Sequence, residues 1–251
     1  MDREVVLKAK QQHLQMRERR SPWSAVVALA SMQAYPRDIM NYVDDHVAII
    51  GQVRRTVPIY DPVAAAMDMI YAGADAIAFY TDHTVYASDL EDMWLLSRAC
   101  KDVPILYQNY VLNVYHVAAV RAANASAIWL DSSIRTSAMM RTNATTAQRF
   151  RFTVFISVHN NDELETALAL SPHVISIGGP DQGNLAESAQ WLQQIRGRVP
   201  RHIKLMLGHS LRTLDEVALA LEAGVRGVVV VPELLRPDTA ATIRRWVGKA
   251  E

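Results

Sequence analysis

Short runs of apolar residues alternate along the chain with longer segments in which apolar residues recur every three or four positions. The short runs are rich in Val and Ile and stay apolar at successive positions, which is typical of parallel strands covered by helices. The longer segments have the spacing of amphipathic helices. The strands are predicted at Val47–Arg54, Asp75–Thr81, Pro104–Gln108, Ala125–Asp131, Phe152–Val158, His173–Ile177, His202–Leu207 and Arg226–Val231.

A helix is predicted after each of these strands. Asp61-Pro62 and Thr213 stand where N-cap and first-turn residues belong. Gly73 and Gly224 follow the ends of two predicted helices, where a residue with positive φ is favoured. The helices are predicted over residues 61–72, 89–99, 113–123, 136–148, 162–170, 185–195, 213–223 and 239–247.

Eight consecutive strand–helix units predict the α/β class and the closed parallel (β/α)8 or TIM barrel. We expect one domain over residues 1–251, in which residues 46–251 form the barrel. Residues 1–45 are expected to form one or two extra helices across the bottom of the barrel. In this fold the ligand-binding end is built by the loops that follow the strands, so functional residues are expected at the carboxyl ends of the strands.

Composition narrows the classes of function. The 26 basic residues balance the 26 acidic residues, which argues against a nucleic-acid partner or an anionic membrane surface. Cys100 is the single cysteine, which excludes a disulfide framework and a CxxC zinc site. No HxH, HExxH, GxGxxG or P-loop motif is present, so neither a metal nor a cofactor is expected. The charged N-terminus lacks the apolar core of a secretory signal, and we expect a cytoplasmic protein.

Segments from most of the chain carry a recognisable pattern. They are YAGADAIAFYTD (71–82), SDLEDM (88–93), residues 103–130, ISVHNNDELETALAL (156–170), residues 205–225 and VVVPELLRPD (229–238). These segments resemble the indole-3-glycerol-phosphate synthase family, and the resemblance includes the N-terminal extension. It implies a (β/α)8 barrel and a lyase of tryptophan biosynthesis that closes and decarboxylates a carboxyphenylamino-deoxyribulose phosphate.

The functional residues that the resemblance implies are largely replaced. The Glu-x-Lys pair of strand one is Gln52 and Arg54, and the lysine general acid of strand three is Gln108. The strand-five glutamate is Ser157, and the strand-six asparagine is Gly178. The Ser-Glu-Ser-Gly-Ile motif of strand seven is replaced by Leu207-Gly208-His209-Ser210-Leu211. The Val-Gly-Glu motif of strand eight is replaced by Val231-Pro232-Glu233, and the loop after strand one is shortened to Thr56–Tyr60.

These replacements predict that the reaction of the family is lost. Ring closure needs a proton donor near the substrate carbonyl and a carboxylate for the second proton. Gln108 has no proton to donate at a useful pKa, and Ser157 cannot act as a carboxylate base. Arg54 stays protonated, so it binds anions but does not readily donate a proton. Pro232 removes a backbone N–H, and Ser210 replaces a glycine, where a phosphate cup is expected.

A different polar set is left at the carboxyl ends of the strands. We expect it to bind a small molecule that is anionic or aromatic. The candidates for a catalytic role are Arg54, Gln108, Asp131, His209 and Glu233. The candidates for substrate binding are Gln52, Tyr107, Ser157, His159, Gly178, Gly179 and Ser210.

Several candidates also have a structural interpretation. Arg54 either clamps a carboxylate or phosphate, or forms an inward ion pair with Asp131 or Glu233. His209 is either a general base or a partly exposed loop histidine. Asp131 can cap the following helix instead of contacting a ligand. His159 matches a histidine of the family pattern, which favours a structural role.

Three functions follow as alternatives. The first is a divergent barrel that binds or transforms a small metabolite. The second is a catalytically inactive pseudoenzyme that serves an assembly, with a protein partner or with further copies of itself. The third is a true indole-3-glycerol-phosphate synthase. A pocket of about 300 Å³ or more with convergent polar groups favours the first, whereas a mouth plugged by Tyr60, Tyr80, Tyr107 or Met206 favours the second.

Overall fold

The strands of the chain form one curled, parallel sheet. The computed structural model describes residues 3–54, 61–80, 89–134, 136–179 and 183–247. Within them the strands are Ala48–Arg54 (β1), Ala76–Tyr80 (β2), Ile105–Tyr107 (β3), Ala127–Asp131 (β4), Thr153–Val158 (β5), Val174–Ile177 (β6), Lys204–Leu207 (β7), Ser210–Leu211 (β8) and Gly227–Val230 (β9).

Helices connect these strands and precede the first of them. They are Arg3–Arg20 (α1), Trp23–Met32 (α2), Met40–Asp45 (α3), Pro62–Tyr71 (α4), Leu90–Ala99 (α5), Val114–Ala122 (α6), Ser137–Arg149 (α7), Asn161–Leu168 (α8), Leu185–Ile195 (α9), Leu214–Glu222 (α10) and Pro237–Val247 (α11). Short 3-10 turns follow β4 at Ser132–Ile134 and α9 at Arg196–Arg198.

The sheet closes on itself, and its seventh barrel strand consists of two segments, β7 and β8. The strand order is β7-β6-β5-β4-β3-β2-β1-β9-β8. β7 pairs with β6, and β8 pairs with β9. The Arg226 N–H, just before β9, donates to the Leu205 carbonyl of β7 at 3.1 Å, which joins the two ends of the sheet. The predicted (β/α)8 barrel of the α/β class is confirmed.

The interior of the barrel is apolar at its amino end. Successive residues of a strand face opposite sides, so every second residue points inward. The inward apolar residues form one buried cluster, which α3 and the residue before it complete at the bottom of the barrel. The cluster consists of Ile39, Met40, Val43, Ala48, Ile50, Ala76, Ala78, Leu106, Ala127, Trp129, Phe155, Val174, Met206 and Val229.

The N-terminal helices occupy both ends of the barrel, and the expectation that all of them cross the bottom is wrong. Arg3 in α1 donates to the Ser133 carbonyl, which follows β4, at 2.6 Å. Arg17 in α1 lies 3.5 Å from Asp89, the N-cap of α5. Both contacts are at the carboxyl ends of strands, so α1 lies on the ligand-binding side. α2 packs along α6, and only α3 reaches the bottom.

The break between β7 and β8 depends on a close backbone contact. A Cβ atom built on Gly208 would lie 2.3 Å from the Gly178 carbonyl oxygen and 2.7 Å from Ser176 Oγ. The Gly208 N–H donates to the Ile177 carbonyl at 2.9 Å, and Gly178 has a φ of 71°, in the region that favours glycine. No side chain fits at position 208 unless the backbone after β6 moves.

A buried histidine joins β3 to the start of α6. The Nε2 atom of His116 lies 2.8 Å from the Tyr107 hydroxyl, and its Nδ1 atom accepts from the Leu112 N–H at 3.4 Å. Burial, together with the nearby charges of Lys10 and Arg17, holds the pKa of His116 well below its usual value. His116 is therefore neutral in the folded chain at neutral pH.

We expect Gly208→Ala to lower the free energy of unfolding by about 2 kcal/mol or more, because its methyl group overlaps the Gly178 backbone. Gly197→Ala is the matched control, since a Cβ there meets nothing within 4 Å, and its effect should stay within about 0.5 kcal/mol. Urea unfolding measures both. Equal stabilities for the two variants would contradict the close contact.

Stability should fall as the pH drops below about 6.5. The unfolded chain binds a proton at His116 below its usual pKa of about 6.5, whereas the folded chain does not. The free energy of unfolding therefore decreases by up to about 1.4 kcal/mol per pH unit until the folded pKa is reached. Urea titrations between pH 7 and pH 5 measure the slope, which His116→Gln should reduce. A part of the slope should remain, because burial also lowers the pKa of His173. An unchanged slope in His116→Gln would contradict the assignment.

Candidate functional site

The interior of the barrel changes from apolar to polar at the carboxyl ends of the strands. Asp131 lies level with Ser157, and Ser157 lies level with Ser176, on three neighbouring strands. The polar residues that share this inward face are Gln52, Gln108, Asp131, Ser157, Ser176 and Ser210, and all of them are buried. Buried polar groups must find hydrogen-bond partners in the protein or in a ligand.

Two of these side chains pair with each other across the interior. The Gln52 Nε2 atom donates to Gln108 Oε1 at 2.7 Å. The two residues are 0% and 1% exposed. The second amide atom of each, Oε1 of Gln52 and Nε2 of Gln108, has no hydrogen-bond partner within the described part of the chain. Both side chains are therefore uncharged, and each has one polar atom with a hydrogen-bond partner and one without.

A small cavity lies beside this pair. It is lined by Tyr80, Gln108, Asn109, Tyr110, Trp129, Asp131 and Ser157, and its volume is about 30 Å³. Such a volume accommodates about two water molecules. It is below the roughly 300 Å³ expected of a pocket that encloses a whole metabolite, so it has room for one end of a ligand only. Tyr80 forms part of the wall, whereas Met206 lies deeper in the apolar interior. Residues 55–60 and 81–88, which include Tyr60, lie outside the described residues.

Four side chains of this cavity were not predicted as site residues, and one of them, Tyr80, was expected only as a plug of the mouth. Asn109 and Tyr110 directly follow Gln108, and Trp129 precedes Asp131 by two positions on β4. The two-residue period of a strand places Trp129 on the same inward face as Asp131, and this signal is present in the sequence. The Trp129 ring stacks on Phe155 with a centroid distance of 5.6 Å.

Asp131 caps the short turn that follows β4, whereas the N-cap of the following helix α7 is Thr136. Its Oδ1 atom accepts from the Ser133 N–H at 2.9 Å and from the Ser133 hydroxyl at 2.7 Å, so it caps the 3-10 turn after β4. The same side chain lines the cavity. It is the one acidic side chain in the wall of that cavity.

Four other predicted residues lie at the carboxyl ends of the strands. Arg54 ends β1, is half-buried and lies level with Tyr80. The buried Ser210 lies level with Val229, and its hydroxyl has no partner in the described ranges. Gly178 and Gly179 follow β6 and are buried.

Tyr107 and Glu233 lie away from the mouth, so the structure corrects their placement. Tyr107 precedes the inward-facing Gln108, and therefore points to the outer layer, where its hydroxyl meets His116. Glu233 is exposed and borders a groove on the outside of the barrel, between α4 and the start of α11. Neither residue lines the cavity beside Gln108.

His159 is held by α8. Its Nδ1 atom and its N–H lie 3.0 Å and 2.8 Å from Glu163 Oε2, and the Ser132 hydroxyl donates to the same oxygen at 2.6 Å. Burial alone would raise the pKa of Glu163, but these hydrogen bonds outweigh it and lower the pKa. The contact anchors the loop after β5, which is a structural role.

His209 faces α9. Its Nε2 atom lies 3.0 Å from the Ser188 hydroxyl, and the residue is 8% exposed. It is thus a buried residue, and the expectation of a partly exposed loop histidine is wrong. The cavity walls beside Gln108 do not include it.

The described residues contain no group of three or more His, Cys, Asp or Glu side chains that could hold a metal ion. None of the described helices combines the length and the apolar character that crossing a membrane requires.

Comparison with known proteins places these residues in a family context. The model of the family described as indole-3-glycerol phosphate synthase matches residues 3–246. Indole-3-glycerol phosphate synthase from Nocardioides sp. is 27% identical over 247 residues, which cover 94% of each chain. The enzyme of that name from Oceanobacillus iheyensis is 26% identical and covers 78% of this chain and 77% of its own.

A solved structure gives independent evidence for the fold. It is a cube-shaped, highly porous protein cage designed by fusing symmetric oligomeric domains, and it covers 81% of this chain and 72% of its own at a TM-score of 0.58. At 19% identity this likeness concerns the fold alone. The match of the family model across nearly the whole chain decides the ancestry. The chain belongs to the indole-3-glycerol phosphate synthase family.

Proposed function

We propose that this chain is a divergent member of its family that no longer closes the indole ring and that binds or transforms a small anionic or aromatic metabolite at the carboxyl ends of the strands. As part of this proposal, residues 1–251 form one domain that works in the cytoplasm. The observation that carries the proposal is the hydrogen bond of 2.7 Å between the buried amides of Gln52 and Gln108. By resemblance, these positions hold a glutamate and the lysine general acid in the family.

A pair of carboxamides cannot take over proton transfer. General acid–base catalysis needs a group whose pKa lies near the working pH, and an amide side chain has none in that range. Ser157 stands at the position of another family glutamate and is 1% exposed. Asp131 is the acidic group that remains in the cavity, one strand away, and one of its oxygens already accepts two hydrogen bonds from Ser133.

Four backbone donors of the loops that would bind a phosphate are used within the protein. The N–H groups of Arg212 and Thr213 donate to Glu216 Oε2 at 2.6 Å and 3.2 Å, as part of the cap of α10. After β9, the Leu234 and Leu235 N–H groups donate to the Val231 carbonyl. A phosphate cup in a barrel relies on such free N–H groups, so these contacts support the loss of the phosphorylated substrate.

A second candidate, an inactive subunit of an assembly, is supported by the surface of α2. Trp23, Leu29 and Met32 are 45%, 51% and 80% exposed, which is unusual for large apolar side chains on one helix. Light scattering on the purified chain tests this candidate. A mass of 28.0 kDa, that of one chain, would count against self-assembly.

The purified protein should form no measurable indole-3-glycerol phosphate from the carboxyphenylamino-deoxyribulose phosphate. Each lost acid–base group typically costs about 10²–10⁴ in rate, and several are lost together. The appearance of the fluorescent indole product is the measurement. A turnover near 1 s⁻¹, about that of an ordinary enzyme, would refute the proposal in favour of a true synthase.

The double variant Gln108→Lys, Ser157→Glu should remain inactive in the same assay. It returns two ionisable groups, but the N–H groups at 212 and 213 stay bound to Glu216. Circular dichroism on the same sample establishes that the variant is folded. Recovery of ring closure would show that the altered phosphate loops are not limiting.

A further inference from the structure

Two residues that line the cavity beside Gln108 carry hydrogen-bond donors that the protein does not use. The Nε1 atom of Trp129 and the Nδ2 atom of Asn109 have no partner within the described ranges. The two residues are 3% and 8% exposed, and both line the cavity. Buried donors without a partner are unfavourable, so this pair points to a ligand that supplies an acceptor.

The identity of both donors is certain on chemical grounds. An indole nitrogen carries a hydrogen and has no acceptor lone pair. The Asn109 side chain is oriented by its other atom, because Oδ1 accepts from the Tyr110 N–H at 2.6 Å. The free atom of Asn109 is therefore the nitrogen, and the ligand group facing it must be an oxygen or another acceptor.

The neighbouring side chains complete a mixed donor and acceptor lining. One amide atom of Gln108 has no partner. If both amides of the pair are rotated by 180°, their hydrogen bond is kept, and the free atom of Gln108 becomes an oxygen, which accepts, instead of a nitrogen, which donates. The Ser157 hydroxyl can do either. The Asp131 carboxylate can only accept. A ligand group that matches this lining carries both an acceptor oxygen and an N–H.

The charges of the lining favour a neutral group. Asp131 is the one acidic side chain among the residues that line the cavity, and no Lys or Arg is among them. Arg54 lies on β1, level with Tyr80, but does not form part of the lining. An anion in the cavity would face the Asp131 carboxylate at close range in a poorly solvated site, which is unfavourable.

We propose that this cavity binds the carboxamide end of a small aromatic molecule. The carbonyl oxygen accepts from Trp129 Nε1 and Asn109 Nδ2, and the amide N–H faces Asp131. The volume of about 30 Å³ suits such an end group alone, and the rings of Tyr80 and Tyr110 offer walls for the aromatic part. The inference rests on the proposed function and decides between the anionic and aromatic metabolites left open there.

Three probes of similar size test the inference: benzamide, benzoate and phenyl phosphate. They are titrated into the ¹⁵N-labelled full chain, and the indole N–H signal that disappears in Trp129→Phe is followed by NMR. Benzamide should shift this signal and bind about tenfold more tightly than benzoate, which has the same shape but carries a charge and no N–H.

Matched variants locate the contact. Asn109→Asp keeps an oxygen for the Tyr110 N–H but replaces the free donor by an acceptor oxygen and adds an acidic group, so the affinity for benzamide should fall about tenfold or more. Trp129→Phe should weaken binding similarly. Trp94→Phe removes an indole that is 45% exposed on α5 and should leave the affinity unchanged.

Two results would overturn the inference. Benzoate or phenyl phosphate could shift the Trp129 signal at lower concentration than benzamide; the ligand would then be an anion, and the proposed function would stand. All three probes could leave the signal unmoved up to their solubility limits, which would show that the cavity takes no such end group. The turnover assay with the family substrate tests the proposed function separately.

Discussion

The hydrogen bond between Gln52 and Gln108 is the contact on which the polarity and the small size of the cavity at the carboxyl end of the barrel depend. It joins β1 to the residue after β3 across the interior, at 2.7 Å and out of contact with solvent. Two charged side chains at these positions would need water, counter-charges or a bound substrate to offset their burial. Two amides need only hydrogen-bond partners, so the strands close around them and leave a cavity of about 30 Å³. Four of the residues that keep an unpaired buried polar atom line this cavity: Gln108, Asn109, Trp129 and Ser157.

The periodicity of the sequence is sufficient to predict the barrel, and the same rule explains one error at the site. Inward and outward residues alternate along a strand, so Gln52 and Arg54 belong to the same face of β1. Tyr107 and Gln108 are neighbours and cannot both face inward; the apolar ring of Tyr107 belongs to the outer layer. The rule also identifies Trp129, two positions before Asp131. The position of a residue along its strand therefore predicts whether it lines the site better than its residue type does.

Residues beyond the ends of strands are not governed by this rule, and their positions could not be predicted. Glu233 and His209 lie in or next to loops whose direction depends on local hydrogen bonds, such as the contact of His209 with Ser188. The position of α1 depends on long-range contacts with Asp89 and Ser133, more than 70 residues away in the sequence. A charged amphipathic helix is compatible with either end of a barrel, so its pattern alone does not select one.

The contact between Gly208 and Gly178 has a consequence for the history of this chain. By resemblance, position 208 holds a glutamate in the family, yet here the carbonyl of Gly178 occupies the space that any side chain would need. A glutamate introduced at position 208 by a single mutation would not fit, because the loop after β6 would have to change its conformation as well. Once both glycines are in place, substitutions at one position at a time are expected to lead to a new activity more easily than to the return of the family reaction.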